Sequence, residues 1–196
     1  MPRPSKNQIA ENIRCAVVRA TASKGISAVS MAHVAKEAKV SAGTLYLHFD
    51  NKTDMLQKTY MHIKRDFYAS LMQACTGQDT ATKVRQFWMA MFAYVQKQPE
   101  AFLFIDNTGA FQILSETQAS ETRLLQQDIT NVLSAGILDG TLADLPLKLM
   151  TTLLVSPAFI MARTGAMENS TYTQADLDLT FERVWLSICA TTFETV

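Results

Sequence analysis

Hydrogen-bond donors are concentrated in one short stretch, residues 40–56, which reads VSAGTLYLHFDNKTDML. Ser41, Thr44, Tyr46, His48 and Lys52 place hydroxyl, imidazole and ammonium groups within twelve positions. Such groups donate to phosphate oxygens and to the edges of bases, which is noncovalent recognition rather than bond-making chemistry. The stretch therefore predicts a surface that binds a polyanion.

The same stretch has the layout of a short helix that enters a groove. Val40, Leu45 and Phe49 are spaced so that they can pack on neighbouring helices. Ala42 and Gly43 lie at the amino-terminal tip, where small side chains allow a partner to approach closely. We expect the apolar side to face the protein and the polar side to face the major groove of a nucleic acid.

The rest of the chain must position this helix, and apolar periodicity indicates helices almost throughout. It predicts them over about residues 6–24, 31–38, 41–49, 51–76, 80–97, 99–108, 116–138, 145–164 and 173–194. Two short helices joined by a tight turn at Lys39–Val40, behind a longer helix, match a helix-turn-helix unit. We predict an all-α fold, with a three-helix DNA-binding domain at 1–52 and a larger helical domain at 53–196.

Charge is unevenly distributed, although the formal net charge of the 196 residues is zero. Residues 1–65 contain eleven basic and four acidic residues, an excess of seven positive charges that the remainder balances. This asymmetry favours a basic module for a polyanion joined to an acidic body. A chance cluster of solvated charges is the alternative.

Several classes of protein are excluded by what the sequence lacks. No apolar run reaches the roughly 18 residues of a membrane span, and the N-terminus lacks a secretion signal. Cys15, Cys75 and Cys189 are widely spaced, so no disulfide framework, metal site or cofactor is predicted. No HExxH, nucleophile elbow or phosphate-binding glycine loop occurs, which argues against an enzyme. We expect a cytoplasmic protein without a membrane partner.

Residues 30–56, SMAHVAKEAKVSAGTLYLHFDNKTDML, resemble the TetR family of bacterial transcriptional regulators. The family pattern is T-x-x-x-I-A-x-x-A-G-V-S-x-G-x-L-Y-x-H-F-x-x-K-x-x-L. The residues that match it are Ala35, Ala38, Val40, Ser41, Gly43, Leu45, Tyr46, His48, Phe49 and Lys52. Val34 stands where the pattern has isoleucine, Ser30 stands where it has threonine, and Leu56 lies one position beyond its last leucine. Lys39 stands where the family commonly has glycine, so a strained or differently shaped turn is expected.

The resemblance implies a set of residues that touch double-stranded DNA: Ser30, Lys39, Ser41, Ala42, Gly43, Thr44, Tyr46, His48 and Lys52. Tyr46, His48 and Lys52 would grip phosphates, and Lys39 adds a charge nearby. Ser41, Ala42 and Thr44 would lie nearer the bases. These roles are what the family's pattern implies for the matching positions.

The resemblance also implies that the protein is a homodimer, usually a repressor, that binds a palindromic operator. A small effector would release it from that operator. The stripe on the last helix that would meet a partner contains Phe181, Val184, Trp185 and Ile188. Large soft side chains suit an apolar or aromatic effector, and we expect a pocket among Phe67, Leu71, Trp88, Phe92, Phe104, Phe111 and Phe159. Ordinary core packing is the alternative for both sets.

Two other interpretations are compatible with the same residues. A DNA-binding protein of the same fold could take no small molecule and act through a protein partner. A redox sensor could use Cys75 or Cys189, but no basic neighbour or resolving cysteine is evident. A filled core would favour the first of these over a ligand sensor.

Overall fold

The computed structural model describes residues 5–106 and 112–190, and these are helical almost throughout. The helices described are α1 (Lys6–Ala28), α2 (Met31–Glu37), α3 (Ala42–Tyr46), α4 (Lys52–Ala74), α5 (Thr80–Lys97), α6 (Pro99–Asp106), α7 (Glu116–Leu125), α8 (Gln127–Leu138), α9 (Leu147–Glu168) and α10 (Gln174–Ile188). Within these ranges the β structure consists of one isolated bridge, between Leu142 and Cys189. The all-α prediction is confirmed.

Several helix ends lie where the sequence predicts them. Gly25 breaks the helical backbone just after the predicted end at residue 24, with φ 75° and ψ 157°, a conformation that is essentially restricted to glycine, and α1 resumes to Ala28. Ser30 caps α2, because its hydroxyl accepts a hydrogen bond from the backbone N–H of His33. Thr173 and Asp176 form a reciprocal capping box at the start of α10.

Other helix ends differ from the prediction. α3 stops at Tyr46 rather than Phe49, because the N–H of His48 bonds to the carbonyl of Leu45 three residues back and tightens the last turn. The helix predicted over 116–138 is divided at Gln126 into α7 and α8. Residues 107–111 and 191–196, which contain the predicted ends of two helices, lie outside the described residues.

Contacts between Cα atoms divide the chain into two compact units. The first comprises Met1–Arg65 and Glu100–Thr122, and the second comprises Asp66–Pro99 and Arg123–Val196. α4 contributes residues to both units. The boundary predicted between residues 52 and 53 separates a DNA-binding domain from a ligand-binding and dimerisation domain. A division by contacts does not test that functional boundary, so it stays a prediction.

The core of the first unit holds α3 in place. α1 packs on α2, and α2 packs on α3. Ile13, Val34 and Leu45 supply one completely buried side chain from each of these helices. A helix of five residues is too short to be stable alone, so this packing is what keeps α3 folded.

The second unit is organised around aromatic side chains on α5 and α9. α9 packs on α5, α8 and α10. The ring of Trp88, which is fully buried, lies 4.8 Å from that of Phe92 and 5.6 Å from that of Phe181. The ring of Phe67 lies 6.1 Å from that of Phe159. Edge and tilted contacts of this kind stabilise a core beyond the area they bury.

α9 is the one described helix that is long and apolar enough to cross a membrane on length and composition alone. Core helices of water-soluble proteins meet the same two criteria. Met150, Leu154 and Ala158 of α9 are completely buried among the other helices, although only 22% of its most apolar stretch is buried. This helix is therefore weak evidence for a membrane span.

Candidate nucleic-acid interface

The turn between α2 and α3 depends on a left-handed residue. Lys39 has φ 56°, which side chains other than glycine adopt only at a cost. The N–H of Val40 bonds to the carbonyl of Ala35 at 3.0 Å, and the N–H of Lys39 bonds to the carbonyl of Lys36 at 3.2 Å. These bonds close α2 in the manner of a Schellman motif. The expectation that Lys39 occupies a strained turn agrees with this geometry.

Ser41 fixes the start of α3. Its hydroxyl accepts a hydrogen bond from the N–H of Thr44 at 3.0 Å, and its Oγ lies 2.8 Å from the hydroxyl of Thr44. Leu45, completely buried, fixes the rotation of the helix about its axis. The tip of α3 is therefore rigid, and its two hydroxyls remain at the surface.

The residues proposed for DNA contact lie on the outer side of this unit. Ser30, Lys39, Ser41, Ala42 and Gly43 are exposed, and Thr44, His48 and Lys52 are half-buried. Tyr46 is 56% exposed. A methyl group placed on Gly43 would meet only the Oγ of Ser41, at 3.8 Å. The protein's own packing therefore does not require glycine at this position.

Lys52 is tethered at the start of α4. Its ammonium donates to the carbonyl of Ser27 at 2.6 Å. Asn51 caps the helix, since its side-chain oxygen accepts from the N–H of Asp54 at 3.0 Å. The backbone of Lys52 thus opens α4, where helix N–H groups favour anions, while its ammonium is held at the carbonyl of Ser27.

Leu47 is a surface residue that the sequence analysis did not single out. It is 85% exposed and follows Tyr46 directly. The signal was available, because Leu45 and Phe49 take the inner side and Leu47 lies two positions from each. An exposed leucine between Tyr46 and His48 is suited to apolar contact with a partner.

The predicted effector residues separate into several places. Phe67, Leu71 and Phe159 line one pocket of about 350 Å³ in the second unit. Phe92 lines a smaller cavity of about 110 Å³, and Trp88 is core. Phe104 lies in the first unit, where its ring is 6.5 Å from that of Tyr60. Phe111, the last predicted residue, lies outside the described residues.

The predicted partner-facing residues on α10 mostly face inward. Phe181, Val184 and Ile188 are 7%, 6% and 0% exposed, and Trp185 is half-buried. Their stripe packs on the protomer's own helices, as the contact between Phe181 and Trp88 shows. The exposed apolar residues of α9 and α10 are instead Leu149, Ile160, Met167, Leu179 and Leu186. These five residues are the open apolar surface of the two helices.

Two family models match the chain. The model described as "Bacterial regulatory proteins, tetR family" matches residues 16–59, and "Tetracyclin repressor-like, C-terminal domain" matches residues 80–189. The second match alone covers more than half of the 196 residues. The fold and the exposed, capped α3 define a helix-turn-helix transcriptional regulator.

The chain belongs to the TetR family of bacterial transcriptional regulators. It is 34% identical over 98 residues to an HTH-type transcriptional regulator of Haemophilus influenzae, a match that covers 50% of this chain and 52% of that protein. The matched segment thus spans about half the length of that relative. The resemblance inferred from residues 30–56 is confirmed, and the family consists of regulators rather than enzymes.

Solved structures show the same fold. A TetR-family regulator from Marinobacter aquaeolei VT8 superposes with a TM-score of 0.84 at 20% identity, covering 92% of this chain and 95% of that one. A TetR-family regulator from Haemophilus influenzae superposes with a TM-score of 0.69 at 24% identity, covering 95% and 100%. At these identities the likeness concerns the fold alone.

Proposed function

We propose that the protein is a homodimeric repressor that binds a palindromic operator and is released by a small, largely apolar effector. The observation that carries the DNA-binding part is α3, a capped helix with a small exposed tip on a basic unit. Residues 1–52 would read DNA, and residues 53–196 would sense the effector and dimerise. The protein would act in the cytoplasm, where it has access to the chromosome.

The proposed DNA surface is the outer side of α3 with its neighbours. Gly43, where the protein tolerates a side chain, would be small because the DNA approaches there. Ser41, Ala42 and Thr44 would lie near base edges, while Tyr46 would bind phosphate. The full proposed set is Ser30, Lys39, Ser41, Ala42, Gly43, Thr44, Tyr46, His48 and Lys52.

Replacing Lys52 by alanine should weaken binding to every duplex alike, by about tenfold at moderate salt, because a charge-assisted phosphate contact is lost. The slope of log affinity against log salt should fall by about one unit. Binding is measured by fluorescence anisotropy with labelled genomic and scrambled duplexes. Lys97→Ala, which removes an exposed charge from the second unit, is the matched control.

Because Lys52 also bonds to Ser27, thermal unfolding of Lys52→Ala is recorded beside the binding data. A folded variant that binds all duplexes with wild-type affinity would remove Lys52 from the proposed surface. A loss confined to one sequence would mean that Lys52 reads bases rather than phosphate.

A dimer is proposed because one helix-turn-helix reads few base pairs. Two of them, one helical turn of DNA apart, read a palindrome. The exposed apolar residues of α9 and α10, defined above, offer a surface that a second copy would cover in a four-helix arrangement. A row of leucine, isoleucine and methionine that stays open in the protomer would be costly to leave in water.

The 350 Å³ pocket is the proposed effector site. Phe67, Leu71 and Phe159 form its apolar side, and Gln126, Thr130, Lys148 and threonines of α9 line it as well. Burial raises the pKa of the Tyr68 phenol, which lines the pocket and stays a neutral donor. A molecule with an aromatic or aliphatic body and one polar end fits this lining.

α4 offers a route by which an effector could change DNA binding. It is one continuous helix that carries Lys52 at its start and the pocket residues Phe67 and Leu71 further along. At about 1.5 Å per residue it is about 35 Å long. An effector that binds better to a shifted α4 would lower DNA affinity, and DNA would lower effector affinity by the same factor.

Filling the pocket should abolish binding of apolar probes without affecting DNA. Val155 is half-buried and lines the pocket, so Val155→Trp would occupy its space. We expect the affinity for the probe anilinonaphthalene sulfonate to fall at least about tenfold, since the ring displaces it. Probe fluorescence and duplex anisotropy are measured together.

Asn131→Trp provides the control, because it adds the same bulk at an exposed position on α8 that does not line the pocket. Equal probe binding by the wild type and Val155→Trp would show that the probe binds elsewhere. A wild type that binds DNA but no apolar probe would favour the alternative of a regulator that acts through a protein partner.

A further inference from the structure

A second pocket, of about 300 Å³, lies within the first unit and has a different character from the effector pocket. α1, α4, α7 and the segment after α3 contribute its walls. Its polar lining includes Arg14, His48, Lys58, Thr59, Arg65 and Gln118. No carboxylate belongs to this lining, which is made of residues that the structure describes. The lining is therefore rich in donors, and the carboxylates that pair with its three cations lie outside it.

The two guanidinium groups retain donors for a further partner. Arg65 donates from Nε and Nη2 to Glu121 at 2.5 and 2.9 Å, and Arg14 donates from the same two atoms to Glu11. In both cases Nη1 takes no part in these bonds. Exposed ion pairs are weak, so a ligand that meets several cations at once can share them. Lys58 likewise contacts Asp54 and the carbonyl of His48, in an exposed position.

Thr59 supplies an independent indication of a bound group. It lines the pocket, is completely buried, and its hydroxyl has no hydrogen-bond partner in the described part of the chain. Buried polar groups are nearly always paired, because leaving one unpaired is unfavourable. An acceptor atom that reached this hydroxyl from the pocket would satisfy it.

We propose that this pocket binds the phosphoryl group of a small phosphorylated molecule. The remaining donors of two guanidinium groups, an ammonium, a hydroxyl, an amide and an imidazole line one space, which suits an anion with several acceptor oxygens. A carboxylate offers only two oxygens and would leave more of these donors unused. The volume exceeds that of one phosphate ion and leaves room for the group attached to it.

Occupancy of the pocket would also affect DNA binding, a consequence that rests on the proposed function. His48 belongs both to the pocket and to the proposed phosphate-binding residues of the DNA surface. A ligand that engages His48 from inside the pocket competes with that role. The phosphorylated molecule is thus expected to weaken DNA binding independently of the apolar effector.

The test measures binding of inorganic phosphate and pyrophosphate to the full chain by titration calorimetry, with sodium chloride at matched ionic strength. We expect saturable binding that Arg65→Gln weakens about tenfold or more, as loss of a charge-assisted contact does. Thr59→Val should also weaken binding, with no loss of thermal stability, because its hydroxyl has no partner to lose. Arg85→Gln is the matched control, since Arg85 forms a comparable exposed pair with Asp178 in the second unit.

Four results would overturn the proposal: no binding beyond that of chloride, unchanged phosphate affinity in Arg65→Gln, loss of equal size in Arg85→Gln, or citrate binding as tightly as pyrophosphate. Duplex affinity is measured without phosphate in the same variants. If Arg65→Gln loses duplex binding to the same extent, the pocket belongs to the DNA surface and the proposal also fails. A wild type that binds phosphate but no duplex would instead refute the proposed function alone.

Discussion

Leu45→Ala is expected to lower the free energy of unfolding by about 2–5 kcal/mol and to abolish DNA binding. Leu45 is completely buried and is the side chain by which α3 is anchored to its neighbours. A helix of five residues has no stability of its own, so loss of the anchor would unfold it first. Urea denaturation followed by circular dichroism gives the free energy, and anisotropy gives the affinity for duplex DNA.

Leu47→Ala is the matched control, because it makes the same chemical change two positions later at a side chain that is 85% exposed. We expect its free energy of unfolding to stay within about 0.5 kcal/mol of wild type. If the two variants were equally stable, α3 would not be held by Leu45 and the account of its packing would be wrong. Reduced DNA affinity in Leu47→Ala with normal stability would place Leu47 at the DNA surface.

Lys64→Met is expected to stabilise the protein at pH 7, by up to about 3 kcal/mol. Lys64 is only 8% exposed, and burial lowers the pKa of its ammonium to about 8, against the opposing effect of Asp106. The charged form is therefore less favourable in the folded protein than in the unfolded chain. Methionine has a similar length, carries no charge, and leaves Asp106 half-exposed and hydrated.

The same group predicts how stability depends on pH. Below about pH 8, Lys64 is protonated in both states and the folded protein carries the full cost of burial. Between about pH 8 and 10.5 the folded state loses the proton while the unfolded state keeps it, so the free energy of unfolding rises with pH. Denaturation curves across this window should show the rise in the wild type but not in Lys64→Met.

Lys24→Met, at an exposed position on α1, serves as the control for this change and should leave the alkaline rise intact. A Lys64→Met variant less stable than wild type at pH 7 would show that the attraction to Asp106 outweighs the burial cost. Equal pH profiles for all three proteins would show that Lys64 is as hydrated when folded as when unfolded.

Local features of the helix-turn-helix could be predicted because residues within five positions of one another determine them. Ser41 caps α3 through Thr44, and Lys39 takes the left-handed turn that its place between α2 and α3 requires. Leu45 is buried where the spacing of apolar residues placed it. The tether from Lys52 to Ser27 could not be foreseen, because it joins groups that only the folded chain brings together.

The distribution of large apolar residues between core, pocket and surface could not be predicted from periodicity. α10 carries apolar residues on two sides, and the denser stripe containing Phe181 packs on Trp88 rather than facing outward. Leu179 and Leu186 make the sparser stripe that stays exposed. Phe104 was grouped with residues of α5 on composition alone, yet it packs beside Tyr60 in the other unit.

The central claim, that α3 lies in the major groove of duplex DNA, is tested most directly by hydroxyl-radical footprinting on genomic fragments selected with the purified protein under heparin challenge. We predict two protected patches about one helical turn apart for the wild type. The double variant Tyr46→Ala, Lys52→Ala should lose both protected patches. Its thermal unfolding is recorded to show that it is folded. Failure of the wild type to retain any duplex against heparin, or an unchanged footprint in the folded double variant, would contradict the claim.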